Sequence, residues 1–315
     1  MYKFKSKFNN FLELTRAYSL PLSLSPLFVA LCWALDAQPG ALNITLVFLA
    51  IICLHLATNL FDDYIDLKRE LKKGAALSDV TFAGAPQKAR LIKAEVYSLS
   101  SVFKIISSLY FIAILTGVYF TFLLGYEVVA IALVAALLCA LYPFLTKWKP
   151  GGLGEVVLAI LFGPLLTYGA YFALVGTHSL SLQLFSLTLA LLIANVGHVH
   201  SLMDFENDIA RGKRTLCTMF KTKQNARKVT TALIALAYFN MAALLALGYL
   251  PPLSAVVFFT LPTALKLVHA LKVNEQGLED SAEDSFFKIF SLARSIPVSV
   301  CIVVGLVYIY TYVIA

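Results

Sequence analysis

The amino-acid sequence predicts an all-α polytopic membrane protein: about nine transmembrane helices with cytoplasmic cap loops, in one domain over residues 1–315. Three observations predict it. The chain is 60% hydrophobic and 14% charged, with a mean hydropathy of +0.81, whereas a soluble domain is about 45–50% apolar and about 25% charged. Apolar runs of about 20 residues, the length needed to cross a bilayer core, recur along the whole chain. Lys and Arg gather on alternate connectors, as the positive-inside rule requires of a membrane protein.

The first sixteen residues, with Lys3, Lys5, Lys7 and Arg16, form a basic amphipathic lead-in. A cleaved signal peptide is not expected, because the following apolar run is too long and carries no clear small-residue cleavage site. Spans are expected at about 17–36, 42–62, 95–117, 125–145, 153–175, 180–203, 228–249, 252–272 and 286–313. The connectors around 37–41, 118–124, 176–179 and 250–251 contain no Lys or Arg, and the others carry nearly all of them. Lys104 and Arg294 reach deepest into a span, each in its cytoplasmic half. This asymmetry puts the N-terminus and the long polar segments 63–94 and 204–227 in the cytoplasm, and the C-terminus outside. The expected location is a bacterial cytoplasmic membrane. Because the net charge of +7 is distributed in this way, it reflects topology and not a nucleic-acid partner. The five cysteines lie singly, none in a metal-type pair, and read as small core residues.

Acidic residues gather where the second span ends, in Asn59-Leu-Phe-Asp62-Asp63-Tyr-Ile-Asp66. On a continuing helix Asn59, Asp63 and Asp66 share a face, with Asp62 beside them. Carboxylates crowded at a membrane boundary repel one another and lose hydration, so a cation is expected among them, most simply a divalent ion. A second cluster follows the sixth span, with His200, Asp204, Asp208 and Arg211 at helical spacing and Lys213 and Arg214 just beyond. Two acidic clusters on one face, each followed by basic residues, suit a diphosphate bridged by Mg²⁺ and held by cations. An apolar bundle beneath would hold a long hydrocarbon tail. The ligand inferred from these features is a polyprenyl diphosphate.

The two stretches resemble the paired aspartate-rich motifs of the UbiA superfamily of intramembrane prenyltransferases, and within it the menaquinone branch that prenylates 1,4-dihydroxy-2-naphthoate. Arg16-Ala-Tyr-Ser-Leu-Pro-Leu-Ser-Leu-Ser-Pro26 is similar to that group's opening pattern, with Ala17 in place of a proline. Gly152-Leu-Gly154-Glu155, Phe162-Gly-Pro164 and Gly169-Ala-Tyr171 resemble its fifth span. Asp204-x-x-x-Asp208 followed by Gly212-Lys-Arg-Thr-Leu216 matches its second motif and tail. The chain departs from the pattern at His200 and Met203, where asparagine and arginine are usual, and at Lys147, one residue late in the Tyr142-Pro-Phe-Leu-Thr-Lys turn.

The resemblance implies a UbiA-like bundle and two Mg²⁺ ions, one held by Asn59, Asp63 and Asp66 and one by Asp204 and Asp208. Asp62 is either a direct ligand or an acceptor behind the ligands. Lys68, Tyr142, Lys147, His200, Arg211, Lys213 and Arg214 are the candidates for binding substrate. Asp63, Asp66, Asp204 and Asp208 are the candidate catalytic carboxylates, with Asp66 or Asp204 taking up the acceptor's proton. His200 is open to three roles: metal ligand, base toward the acceptor, or hydrogen-bond donor within the bundle. Phe162, Tyr168 and Tyr171 are candidates for lining a prenyl tunnel, with ordinary packing as the alternative. The expected partners are the lipid bilayer, a polyprenyl diphosphate and an aromatic acceptor, 1,4-dihydroxy-2-naphthoate first, then 4-hydroxybenzoate, homogentisate, haem or a phosphosugar. A cation-coupled transporter is the competing class, but its site belongs near the midplane, not at the cytoplasmic ends of spans.

Overall fold

The structure, a computed structural model, describes residues 7–72, 91–92, 96–145, 153–210, 214–275 and 282–314. Its helices are α1 (Lys7–Leu14), α2 (Pro21–Trp33), α3 (Ala41–Lys72), α4 (Leu99–Leu124) and α5 (Tyr126–Leu145), then α6 (Leu153–Val175), α7 (Leu180–Met203), α8 (Phe205–Ala210) and α9 (Lys223–Ala246), and finally α10 (Leu261–Glu275) and α11 (Ala282–Ile314). Among the described residues there is no strand. Starts and stops follow local chemistry. Ser98, Ser179 and Thr222 cap α4, α7 and α9 by accepting backbone N–H groups through their side chains. Gly125, at φ 86°, takes the turn between α4 and α5 in a conformation that other residues resist.

Among the described residues, seven helices are long and apolar enough to cross a membrane by length and composition, and Pro21–Trp33 and Tyr126–Tyr142 are shorter apolar stretches. The expected first span, 17–36, is a 13-residue α-helix between two short 3₁₀ turns, Ala17–Ser19 and Leu35–Ala37. The eighth begins as a 3₁₀ stretch, Pro252–Thr260, before α10. The second runs past its expected end at 62 and carries the first acidic motif as helix. The fifth has its expected bounds but is π-helical from Leu161 to Tyr168. Pro164 lies within that stretch, where it removes a backbone donor and crowds the preceding turn.

Consecutive helices pack side by side, α3 on α4, α6 on α7 and α7 on α9, and α11 returns to pack on α2 and closes the bundle. Buried Phe185, Leu189, Leu192, Ile296 and Val300 belong to the largest core, and Leu14 of α1 seals a smaller one with Leu60, Val102 and Ile106. Phe111, Ile114, Leu115 and Phe122 of α4 point outward, as a lipid-facing surface requires. Lipid is as apolar as these side chains, so close packing holds the helices together. A Cβ on Gly163 would lie 2.7 Å from Ala190 Cβ and 2.8 Å from the Ser186 carbonyl, which shows how tightly α6 meets α7.

Candidate active site

The first motif is built on the last turns of α3. Asp62 and Asp63 are buried, Asp66 is half-buried and Lys68 is exposed, its ammonium 5.4 Å from the centre of the Tyr64 ring. A cation of the chain itself also sits at this motif. Arg16 follows α1 in a left-handed conformation (φ 54°, ψ 39°) and donates to Asp63 Oδ1. Burial works against its charge, but Asp63 and Asp62 outweigh that effect and raise the guanidinium's pKa.

Beneath this pair runs a hydrogen-bonded chain. Ser19 Oγ donates to the Arg16 carbonyl at 2.7 Å and accepts from Asn59 Nδ2 at 3.1 Å. His55 Nε2 lies 2.8 Å from the same hydroxyl, and His55 Nδ1 lies 2.6 Å from Ser23 Oγ. Asn59 therefore turns its amide nitrogen to Ser19 and keeps its oxygen for the other side.

The second motif differs from the continuous helix expected for it. The helix ends at Met203, Asp204 is the capping residue (φ −93°, ψ 11°), and α8 carries Asp208 onward. Backbone bonds from Asp204 N to the His200 carbonyl and from Asp208 N to the Asp204 carbonyl preserve the four-residue step across the break. Asp208 is buried. His200 Nδ1 lies 3.7 Å from Asp204 Oδ2, beyond hydrogen-bonding distance, and its ring meets Phe286 and Phe290 edge-on. Arg214 is exposed, and Lys147, Arg211 and Lys213 lie outside the described residues.

Two residues link the motifs. Tyr142, at the end of α5, stands in the electrostatic field of Asp62, Arg16, Glu155 and Asp66. Glu155, at the start of α6, is buried, accepts from Ser201 Oγ of α7 at 3.2 Å and lies across Gly197. Beyond it, His198 Nε2 is 2.8 Å from the Ala226 carbonyl, and buried Cys217 touches the His198 ring. Burial, with Glu155 and Asp208 nearby, raises the Cys217 thiol's pKa. The ends of α3, α5 and α7 and the start of α6 thus converge on one charged region. Sequence reasoning missed Ser19, His55, Ser201 and the roles of Arg16 and Glu155. Of the aromatic candidates, Phe162 meets His55 edge-on at 5.9 Å, while Tyr168 bonds to His178 at the opposite end of α6.

The donor set consists of oxygen: the Asn59 amide and the carboxylates of Asp62, Asp63, Asp66, Asp204 and Asp208. Among the described residues no three acidic, His or Cys side chains converge closely enough to hold an ion by themselves. Hard oxygen donors supplying one or two carboxylates per ion are what Mg²⁺ takes when substrate phosphates complete its shell, so the residues fit that metal.

The family model of the UbiA prenyltransferase family matches residues 23–292. The chain belongs to this family. It is therefore a prenyltransferase and an integral membrane protein. It is 27% identical over 302 residues to 1,4-dihydroxy-2-naphthoate octaprenyltransferase of Bacillus subtilis, covering 91% of this chain and 92% of that one. Among solved structures, a UbiA homologue from Aeropyrum pernix superposes with a TM-score of 0.65 at 18% identity, covering 91% of this chain and 96% of that one. A homologue from Archaeoglobus fulgidus, bound to GPP and Mg²⁺, gives 0.64 at 14% identity, covering 94% and 99%. At these identities the two structures attest the fold.

Proposed function

We infer that this UbiA prenyltransferase transfers a polyprenyl group from an allylic diphosphate to 1,4-dihydroxy-2-naphthoate, in a Mg²⁺-dependent step of menaquinone biosynthesis. The observation that carries the reading is the convergence of two carboxylate motifs, through Tyr142 and Glu155, on one end of an apolar bundle. The acceptor is supported by the likeness to the Bacillus enzyme along nearly the whole chain. The metal is supported by the oxygen donor set and by the Mg²⁺ and GPP bound to the Archaeoglobus homologue.

Asn59, Asp63 and Asp66 would hold one ion and Asp204 and Asp208 another, with Asp62 beside the first. When bound, Mg²⁺ supplies positive charge to the departing diphosphate. Lys68 and Arg214, with Lys147, Arg211 and Lys213, supply cations for its oxygens, and the Tyr142 hydroxyl faces the same region. The helices below exclude water from the allylic centre as the bond from C1 to oxygen breaks. The acceptor's ring carbon bonds to C1, diphosphate leaves, and Asp66 or Asp204 receives the proton released. In the naphthoate reaction the ring carboxylate also leaves as CO₂, and the proton held by that aspartate returns to the ring carbon it vacates.

Purified protein in detergent, given geranylgeranyl diphosphate, Mg²⁺ and 1,4-dihydroxy-2-naphthoate, should form a prenylated, decarboxylated naphthoquinol, and EDTA should abolish it. Asp63→Ala and Asp208→Ala should each lower turnover by about 100-fold or more, the scale of losing a transition-state charge contact, while the protein keeps its elution volume. Substantial activity in both variants would sink the two-motif site. Transfer only to another aromatic acceptor would discard the naphthoate.

A further inference from the structure

Arg294 lies on α11 about 12 Å, eight residues at helical rise, from the start of the span Phe286–Ile314. Its guanidinium is 5.7 Å from the centre of the Tyr18 ring and 5.0 Å from that of Phe290. Among the described residues no carboxylate pairs with it, and its buried Nε has no hydrogen-bond partner. A cation inside a membrane span costs free energy unless an anion or water meets it, and such residues usually serve a ligand.

The surroundings indicate which ligand. Arg294 lines a cavity of about 190 Å³ between the start of α2 and α11, together with Tyr18, Ser19, Leu22, Ser291 and Ser295. One wall is aromatic and apolar, another offers hydroxyls, and the charge is a planar fork suited to two carboxylate oxygens. The cavity also borders residues that lead to both motifs. Ser19 accepts from Asn59 of the first motif, and Phe290, which faces Arg294, meets His200 beside Asp204 of the second. A flat aromatic acid seated on Arg294 would therefore lie beside residues that contact both carboxylate motifs.

We propose that Arg294, with Tyr18, Ser291 and Ser295, forms the binding site for the carboxylate of an aromatic acid, the acceptor substrate. The assignment rests on the prenyl-transfer reading for its purpose but not for its test. The probe is 1-hydroxy-2-naphthoate, a fluorescent aromatic acid, titrated without prenyl diphosphate into purified protein in neutral detergent. It should bind the unchanged protein, bind Arg294→Gln at least about tenfold more weakly, and be partly restored in Arg294→Lys, because a buried charge-assisted pair contributes on that scale. Tyr18→Leu, which leaves Arg294 itself unsubstituted, should weaken binding several-fold and guards against a folding defect in the arginine variant. In turnover, Arg294→Gln should raise the KM for the naphthoate far more than that for the prenyl diphosphate.

Equal affinity of the probe for the unchanged and Arg294→Gln proteins would overturn the site. So would displacement of the probe by phosphatidylglycerol and not by phosphatidylcholine, which would assign Arg294 to a lipid phosphate. Arg294-dependent binding without prenyl transfer to 1,4-dihydroxy-2-naphthoate would retain the aromatic-acid site and reject only that acceptor.

Discussion

Ser19 shows how proton counting at one hydroxyl orients a distant motif. A hydroxyl has one proton and two lone pairs. Ser19 spends its proton on the Arg16 carbonyl, so it must accept from both Asn59 Nδ2 and His55 Nε2. An uncharged His55 then carries its proton on Nε2 and accepts from Ser23 at Nδ1. Ser19→Ala strands the buried His55 Nε2 donor, at a cost of about 1–3 kcal/mol, and frees the half-buried Asn59 amide to turn. The Mg²⁺ concentration for half-maximal turnover is expected to rise about tenfold or more, the usual effect of removing a group that orients a metal ligand, with Ser19→Thr close to unchanged. A fall in melting temperature with no change in Mg²⁺ requirement would reduce Ser19 to a packing role. At this scale the sequence was legible only within a helix. Asn59, Asp62, Asp63 and Asp66 could be placed from their spacing, whereas Ser19 and Arg16 lie some 40 residues or more from their partners and meet them only through the fold.

Elements were legible where periodic patterns and capping residues agree, and less so where packing overrides them. The bounds of α6 could be read from its apolar run, but its π-helical middle could not. Gly163 and Pro164 mark the place without saying which irregularity results. The same holds for the break at Asp204, where the four-residue spacing survives a real interruption. Gly163 tests the close contact of α6 and α7. In Gly163→Ala the new carbon would meet Ala190 and the Ser186 carbonyl, partly backbone that cannot swing aside, so the helices must separate. A loss of about 1–3 kcal/mol is expected, as for other overpacked sites, seen as a lower melting temperature in detergent. Gly117→Ala on α4 has nothing within 4 Å and should be neutral or stabilising by up to about 1 kcal/mol. Equal effects of the two substitutions would mean that α6 and α7 are not held by backbone contact.

At the scale of the whole molecule, the site constrains how many times the chain crosses the bilayer. Arg16 precedes α2, yet it pairs with Asp63 near the end of α3, so α2 and α3 together must return the chain to its starting face. Tyr142 at the end of α5 and Glu155 at the start of α6 lie in the same charged region, and Ser201 near the end of α7 bonds to Glu155. We therefore propose that the shorter apolar helices α2 and α5 are crossings as well. If they did not, the two motifs would open on opposite faces and could not share a diphosphate. With α9, α10 and α11 we propose a total of nine, and by the positive-inside rule the basic connectors would orient the motif face to the cytoplasm. A fluorescent protein inserted between residues 73 and 90 should fluoresce, because it folds in the cytoplasm. Alkaline phosphatase fused after residue 315 should be active, because it requires the opposite compartment. An active phosphatase at 73–90 together with fluorescence at 211–213 would place the motifs on opposite faces. The Arg16–Asp63 pair could not form in such a chain, and the shared site would fall with it.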